Sequence, residues 1–129
     1  MLKLTILAMA ISTTALTSTA LADTKCSPDI NVEYISGSGT SIKVTKIKYR
    51  LDGTSVWHTE SVTNKVIDKS KDHTFKSQRL GSVAKGQKLD LRAVFKPDTG
   101  NDYGPEQDGP ILSSSTNCEN NVRYSIKVN

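Results

Sequence analysis

The chain has 129 residues with 17 basic and 13 acidic side chains, which gives a formal net charge of +4. This length accommodates one domain. The sequence has two histidines and two cysteines, and it lacks the G-x-S-x-G, H-E-x-x-H and C-x-x-C motifs. No familiar catalytic motif is therefore present, and we expect the protein not to be an enzyme.

Residues 1–22 have the features of a secretory signal peptide. Lys3 supplies the positive charge, residues 4–11 form a short apolar core, and the Ala-Leu-Ala sequence ending at Ala22 is a cleavage site. The apolar run is too short to span a membrane, and no later segment approaches the required length. We expect cleavage near Ala22, a single domain over residues 23–129, no transmembrane segment, and a secreted or periplasmic location.

Cys26 and Cys118 lie near the two ends of the mature chain. An isolated pair in an oxidising compartment most simply forms one disulfide, and the alternative of two redox-active thiols has no C-x-x-C spacing to support it. Closing a loop of about 90 residues stabilises a fold by about 4 kcal/mol in the chain-entropy model. We expect a structural disulfide that joins the first strand to the approach of the last.

Residues 41–62 have the pattern of two strands joined at Asp52 and Gly53, which is a strong hairpin signal. Apolar residues alternate with basic ones along the first strand. The apolar phase slips by one position between Val44 and Ile47. This slip predicts a β-bulge, which would also bend the strand.

The position of Trp57 depends on the length of this hairpin turn. A two-residue turn sets it opposite Lys48 on the basic face formed by Lys46, Lys48 and Arg50, as an exposed aromatic platform for a ligand. A three-residue turn sets it opposite Tyr49 on the apolar face. We favour the core position, because it is the commoner one for a lone tryptophan in a small β domain.

Further candidate strands follow turn signals about every 8 to 12 residues, without helical periodicity, and apolar residues alternate clearly at residues 29–35, 89–95 and 122–128. The candidate strands lie at residues 29–35, 63–68, 73–83, 89–95, 111–115 and 122–128. About seven or eight short strands predict an antiparallel β-sandwich, with a small closed barrel as the other all-β alternative.

Three segments share residue types with a known family. Residues 49–53 read Y-R-L-D-G with Trp57 after them, residues 80–92 read L-G-S-V-A-K-G-Q-K-L-D-L-R, and residues 103–105 read Y-G-P. Together they resemble about half of a fibronectin type III domain, which implies an immunoglobulin-like β-sandwich but no particular function. Leu89 stands where that family has a tyrosine, its core tryptophan falls earlier, and an end-to-end cysteine pair is not typical of it.

Charge is unevenly distributed along the chain. Residues 41–96 carry thirteen basic and five acidic side chains, whereas residues 97–121 carry five acidic and no basic ones. A dipolar surface can steer charged partners, although lysine on strand faces also serves solubility alone. The stripe of Lys46, Lys48 and Arg50 is a candidate site for anionic lipid or acidic glycan.

The long loop at residues 96–110 holds two further candidates. Calcium prefers oxygen ligands, and the loop offers four carboxylates whose spacing does not match an EF-hand, so a solvated loop is the alternative. The candidate calcium ligands are Asp98, Asp102, Glu106 and Asp108. Tyr103 is a candidate ligand-binding residue, because loops at the end of a sandwich often carry binding functions.

His58 and Glu60 lie on the same face of one strand, so a general base could meet a carboxylate there. A convincing third ligand for zinc is missing. We expect surface or packing roles for both His58 and His73.

Together these features predict an exported, non-enzymatic binding module that recognises a surface glycan, an anionic lipid or a partner protein through its loops and its basic strand face. The alternative is a small, virulence-associated secreted effector, either a membrane-active toxin or an inhibitor of a partner enzyme. Nucleic acid is not expected as a partner of an exported chain.

Overall fold

A computed structural model describes residues 24–113 and 116–129 of the chain. The predicted signal peptide, residues 1–22, lies outside the described residues. So do the last two residues of the predicted strand at 111–115. No helix among the described residues is long and apolar enough to cross a membrane.

The described part of the chain forms ten β-strands and no helix. The strands are β1 (Lys25–Cys26), β2 (Asp29–Tyr34), β3 (Ser41–Leu51), β4 (His58–Asp68), β5 (Lys71–Phe75), β6 (Leu80–Ala84), β7 (Leu89–Pro97), β8 (Gln107–Asp108), β9 (Leu112–Ser113) and β10 (Arg123–Val128). Seven are longer than two residues, and β1, β8 and β9 have two residues each. The predicted all-β fold is confirmed.

The hairpin's second strand and the run at residues 63–68, predicted as separate strands, form one continuous strand, β4. Thr63 and Asn64 read as a polar interruption in the sequence, but both are exposed in the strand. An edge strand can be polar on both faces without a break, because it does not have to bury either face.

The long strands form two sheets. The larger has the order β4-β3-β7-β8, with β9 also pairing with β7, and the smaller has the order β10-β2-β5. β1 and β6 form a separate antiparallel pair. The other pairings are antiparallel too, except that the last strand, β10, runs parallel to β2. A strand that reaches its partner by a long connection is free of the hairpin geometry that enforces an antiparallel pair.

One hydrophobic core is shared by the two sheets. Val32 of β2 and Ile126 of β10 belong to the same buried cluster as Ile47 of β3 and Leu91 of β7. In β10 the buried residues alternate strictly with exposed ones, as the period of two in a β-strand requires. This layered arrangement is consistent with the predicted β-sandwich and leaves the basic residues of β3 on an outer face.

The predicted bulge is present in the centre of β3. The register shifts between Val44 and Lys46 against both neighbouring strands, β4 and β7. Thr45 at the bulge is 7% exposed. Its hydroxyl donates to the carboxylate of Glu106 at 2.5 Å. The bulge thus restores the alternation that puts Lys46 outside and Ile47 inside.

The predicted disulfide joins Cys26 and Cys118, whose Cα atoms are 6.0 Å apart across a separation of 92 residues. Both half-cystines are fully buried. Cys118 N–H donates to the carbonyl of Gln87, and Gly86 N–H donates to the carbonyl of Cys118, each at 2.8 Å. The bond therefore ties β1 to the segment before β10, which also packs along the turn between β6 and β7.

Candidate functional site

Basic residues of β3 and acidic residues near β8 meet on the outer face of the larger sheet. Lys46 and Lys48 point outward because they alternate with the buried Ile47. Lys46 Nζ lies 2.7 Å from Glu106 Oε2, and Lys48 Nζ lies 3.0 Å from Asp108 Oδ1. The acidic residues reach this position because β8 pairs with β7, the strand next to β3.

Arg50, the third member of the predicted basic stripe, also has a carboxylate partner. Its Nε donates to Asp90 Oδ2 of β7 at 2.9 Å, and Asp90 is only 6% exposed. All three predicted cations are therefore neutralised within the protein. The structure does not present this stripe as an unpaired cationic surface for anionic lipid.

Glu106 is held in its charged form by its neighbours. Hydrogen bonds from the Lys46 ammonium and the Thr45 hydroxyl lower the pKa of Glu106 below its ordinary value of 4.5. At neutral pH the carboxylate is ionised, so its pairing with Lys46 persists under physiological conditions.

Trp57 lies on the same outer face and not in the core, so the favoured core prediction is wrong. The hairpin pairs Tyr49 with His58, and Trp57, one residue earlier than His58, falls beside Arg50. The guanidinium of Arg50 lies 4.4 Å from the indole centre, and that of Arg92 lies 5.1 Å from it. The cause is a connection longer than either turn considered, because residues 52–57 lie outside the two strands of the hairpin.

The two arginines under Trp57 are themselves fixed in place. Arg92 Nε donates to the carbonyl of Gly109 at 3.1 Å, and Arg50 is held by Asp90. Trp57 is half-buried, and the neighbouring Val56 is 63% exposed. We call Trp57, Arg50 and Arg92 the Trp57 platform: an aromatic ring on ordered cations, which can stack on an apolar ligand face.

Tyr103 is not part of this platform. Its ring lies 4.4 Å from Lys43 Nζ, and its hydroxyl is 3.3 Å from Ser41 Oγ, at the other end of β3. At about 3.3 Å per residue, Lys43 and Arg50 are separated by about 20 Å along the strand. The predicted ligand-binding residues therefore divide into two places.

The four candidate calcium ligands are not brought together. Asp98 accepts hydrogen bonds from the Thr40 hydroxyl and Gly100 N–H, each at 2.8 Å. These bonds, that from Gly100 first, lower the pKa of Asp98. Asp102 accepts from the N–H of Tyr103, while Glu106 and Asp108 pair with lysines. No group of three or more His, Cys, Asp or Glu side chains among the described residues could hold a metal ion.

Glu60 and Tyr49 belong to one hydrogen-bond network. Glu60 accepts a hydrogen bond from the Tyr49 hydroxyl at 2.8 Å and one from Gly81 N–H at 3.1 Å. The Tyr49 hydroxyl in turn accepts from Ser82 N–H at 3.1 Å. Burial of the ring, and then its bond to Glu60, raise the pKa of Tyr49, which stays protonated. His58 packs its ring 5.5 Å from that of Tyr49.

The sequence did not predict that two residues of this face, Asp90 and Arg92, belong to the candidate site. Their alternation with Leu89 and Leu91 in β7 shows from sequence that they face outward. Their pairing opposite Arg50 and Lys48 is set by the register between β3 and β7, which sequence periodicity does not determine.

No known protein family, curated protein or solved structure matches the chain. The functional argument therefore rests on the geometry of this outer face.

Proposed function

We propose that this chain is an exported, non-enzymatic binding module that binds a carbohydrate on the Trp57 platform. One observation carries the proposal: the chain's single tryptophan lies outside the core, stacked against Arg50 and Arg92. Burying an indole stabilises a small fold strongly, so its placement on an outer sheet face favours a binding role.

The chemistry around Trp57 suits a sugar ring. The indole offers a flat apolar surface for the C–H face of a pyranose, and the surrounding carboxylates and guanidinium groups can exchange hydrogen bonds with its hydroxyls. Because Arg50 and Lys48 already have carboxylate partners, the surface is polar without being strongly cationic. We therefore expect a neutral saccharide to bind here, with little dependence on salt.

An immunoglobulin-like topology is part of the proposal. The order β4-β3-β7-β8 in one sheet, with β2 beside β5 in the other, supports it. The parallel pairing of β10 with β2 is a departure from a simple antiparallel sandwich. In immunoglobulin-like folds the loops and outer sheet faces both serve recognition, so the topology is compatible with a site at Trp57.

The test is binding of the mature protein to a panel of immobilised neutral and acidic saccharides, with Trp57→Ala as the variant and Val66→Ser as the control. Val66 is 44% exposed on β4 and is not part of the platform. We expect Trp57→Ala to weaken binding of the neutral saccharides by about tenfold or more and Val66→Ser to leave it unchanged.

Two results would overturn the proposal. One is a Trp57→Ala variant that binds neutral saccharides as tightly as the parent chain. The other is a parent chain that binds no saccharide but causes leakage of lipid vesicles, which would favour a membrane-active effector.

A further inference from the structure

A cleft opens between β4 and β5, where the edges of the two sheets meet. It has a volume of about 420 Å³. Its lining residues are Val62, Thr63, Asn64, Lys65, His73, Thr74, Phe75, Lys76 and Gln78. We call this the β4–β5 cleft. Such a volume accommodates a small ligand of roughly one or two sugar rings.

The cleft differs from the outer face of β3 in its charge. Its lining includes two lysines and a histidine but no carboxylate. Lys65 and Lys76 take part in none of the ion pairs between described residues, whereas Lys46 and Lys48 each have a carboxylate within 3.0 Å. Two carboxylates lie close to lining residues: Asp72, adjacent to His73, is 3.9 Å from Arg123, and Asp29 accepts a hydrogen bond from Ser77 N–H beside Lys76. The cleft therefore keeps a net positive charge.

The turn that carries Lys76 is held in an unusual conformation. Ser77, the next residue, has a φ of 48°, in the left-handed region that non-glycine residues rarely adopt. Its N–H donates to Asp29 Oδ1, and Gln78 N–H donates to the carbonyl of Pro28, each at 2.8 Å. A strained turn fixed by hydrogen bonds to Pro28 and Asp29 therefore holds the backbone beside Lys76, which lines the cleft.

Two aromatic rings contribute to the lining of the cleft. Phe75 is 8% exposed, and the His73 ring packs edge-on against it at 4.8 Å. Burial, followed by the charge of Lys65, lowers the pKa of His73, while Asp72 acts in the opposite direction. At neutral pH the imidazole is uncharged and can donate one hydrogen bond.

We propose that the β4–β5 cleft binds an acidic saccharide unit, with Lys65 and Lys76 holding its sulfate or carboxylate group and Phe75 supporting its sugar ring. The lining offers two ammonium groups for the ligand's charged group, amide and hydroxyl side chains for the sugar hydroxyls, and the aromatic ring of Phe75, which is the mixture such a ligand requires. Lys65 lies about 25 Å along the extended chain from Trp57, and no residue of the Trp57 platform lines the cleft, so the site does not depend on the proposed function of the Trp57 platform.

The experiment titrates the mature chain with a sulfated disaccharide, a uronic-acid disaccharide, their uncharged counterpart and inorganic sulfate. The variant is Lys65→Ser/Lys76→Ser, and the control is Lys85→Ser/Lys88→Ser, which removes the same charge from two exposed lysines in the turn before β7. We expect the first pair to weaken binding of the acidic disaccharides by about tenfold or more, and the control pair to change it by less than about twofold.

Further readouts separate this site from general attraction by a basic protein. A bound anion stabilises the imidazolium, so the pKa of His73 followed by NMR should rise on saturation. Trp57→Ala should leave this binding intact. The relative affinities of the two acidic disaccharides identify which acidic group the cleft prefers.

Equal loss of binding in both lysine pairs, an unchanged affinity in Lys65→Ser/Lys76→Ser, or no binding of any acidic disaccharide would overturn the proposal. So would binding of inorganic sulfate as tight as that of the sulfated disaccharide, because the sugar ring would then contribute nothing.

Discussion

The Tyr49 hydroxyl links three strands through two hydrogen bonds, one to Glu60 of β4 and one from Ser82 of β6. The ring is 1% exposed, so neither partner can be replaced easily by water. The sequence marks Tyr49 as a core residue but not as a member of a polar network. Its hydroxyl has a function only because the pairing of β3 and β4 brings Glu60 within reach.

Tyr49→Phe should lower the free energy of unfolding by about 1–3 kcal/mol, because it removes one of the two donors to the Glu60 carboxylate and leaves Ser82 N–H without its acceptor. Urea unfolding measures the change. The control is Tyr103→Phe, whose hydroxyl is 3.3 Å from Ser41 Oγ in a half-exposed position. It should change stability by less than about 0.5 kcal/mol. Equal losses in the two variants would contradict the network.

Arg92→Ala should expose Trp57 further, since the indole loses a cation that lies 5.1 Å from its centre. The lost cation–π contact is worth about 0.5–1 kcal/mol at such a site. Acrylamide quenching of the single tryptophan should increase and its emission should shift to the red. Arg123→Ala, on the smaller sheet, serves as the control. Unchanged quenching in Arg92→Ala would contradict stacking of Trp57 on Arg92.

The placement of Trp57 illustrates what sequence can and cannot determine at the level of one residue. Asp52 and Gly53 correctly predict a turn, and Gly53 has a φ of 82° that suits glycine. The number of unpaired residues after the turn decides which face Trp57 occupies, because one residue of register exchanges the two faces. Periodicity does not specify that number.

Among the strands, β3 was the most predictable and β8 the least. The slip between Val44 and Ile47 is visible in the sequence, and the bulge follows from it because buried residues must return to one face. β8 is a two-residue strand in a segment rich in glycine and proline. It pairs with β7 through tertiary placement, which local sequence does not reveal.

The segment around β8 should make stability depend on acidic pH. The pKa of Glu106 is lower in the folded chain than its ordinary value of 4.5, so the unfolded chain binds more protons below that pH. The contribution of Glu106 is therefore fully present above about pH 4.5 and is lost as the pH falls through its folded-state pKa.

Glu106→Gln should reduce the dependence of the unfolding free energy on pH below about pH 4.5. Urea denaturation from about pH 2 to pH 7 measures this dependence. Glu119→Gln is the matched control, because no ion pair of the described residues involves Glu119. A curve for Glu106→Gln that keeps the slope of the parent chain below pH 4.5 would contradict the pairing with Lys46.

For the whole molecule, the disulfide has the largest predicted effect. Cys26→Ala/Cys118→Ala should lower the free energy of unfolding by about 4 kcal/mol, because the bond closes a long loop in the unfolded chain. The parent chain under reducing conditions is the comparison, and both should unfold at similarly lower urea concentrations. Full stability of the double variant would show that the two sheets hold together without the bond between Cys26 and Cys118.

The basic and acidic segments of the chain are far apart in sequence but pair with each other in the folded molecule. The sequence suggests a basic face and an acidic loop as separate partner sites, but the fold pairs Lys46 and Lys48 with Glu106 and Asp108. Unpaired positive charge remains in the β4–β5 cleft. The sheet order decides which lysines are paired, because it brings β8 with its carboxylates beside β7 and close to β3.

The most direct test of the Trp57 platform is acrylamide quenching of the mature protein, with and without a neutral saccharide that it binds. The account predicts that acrylamide quenches Trp57 readily in the free protein. A bound saccharide should reduce this quenching by about half or more, because a ligand stacked on the indole shields it from acrylamide. A tryptophan already shielded in the free protein, or saccharide binding that leaves its quenching unchanged, would contradict the account.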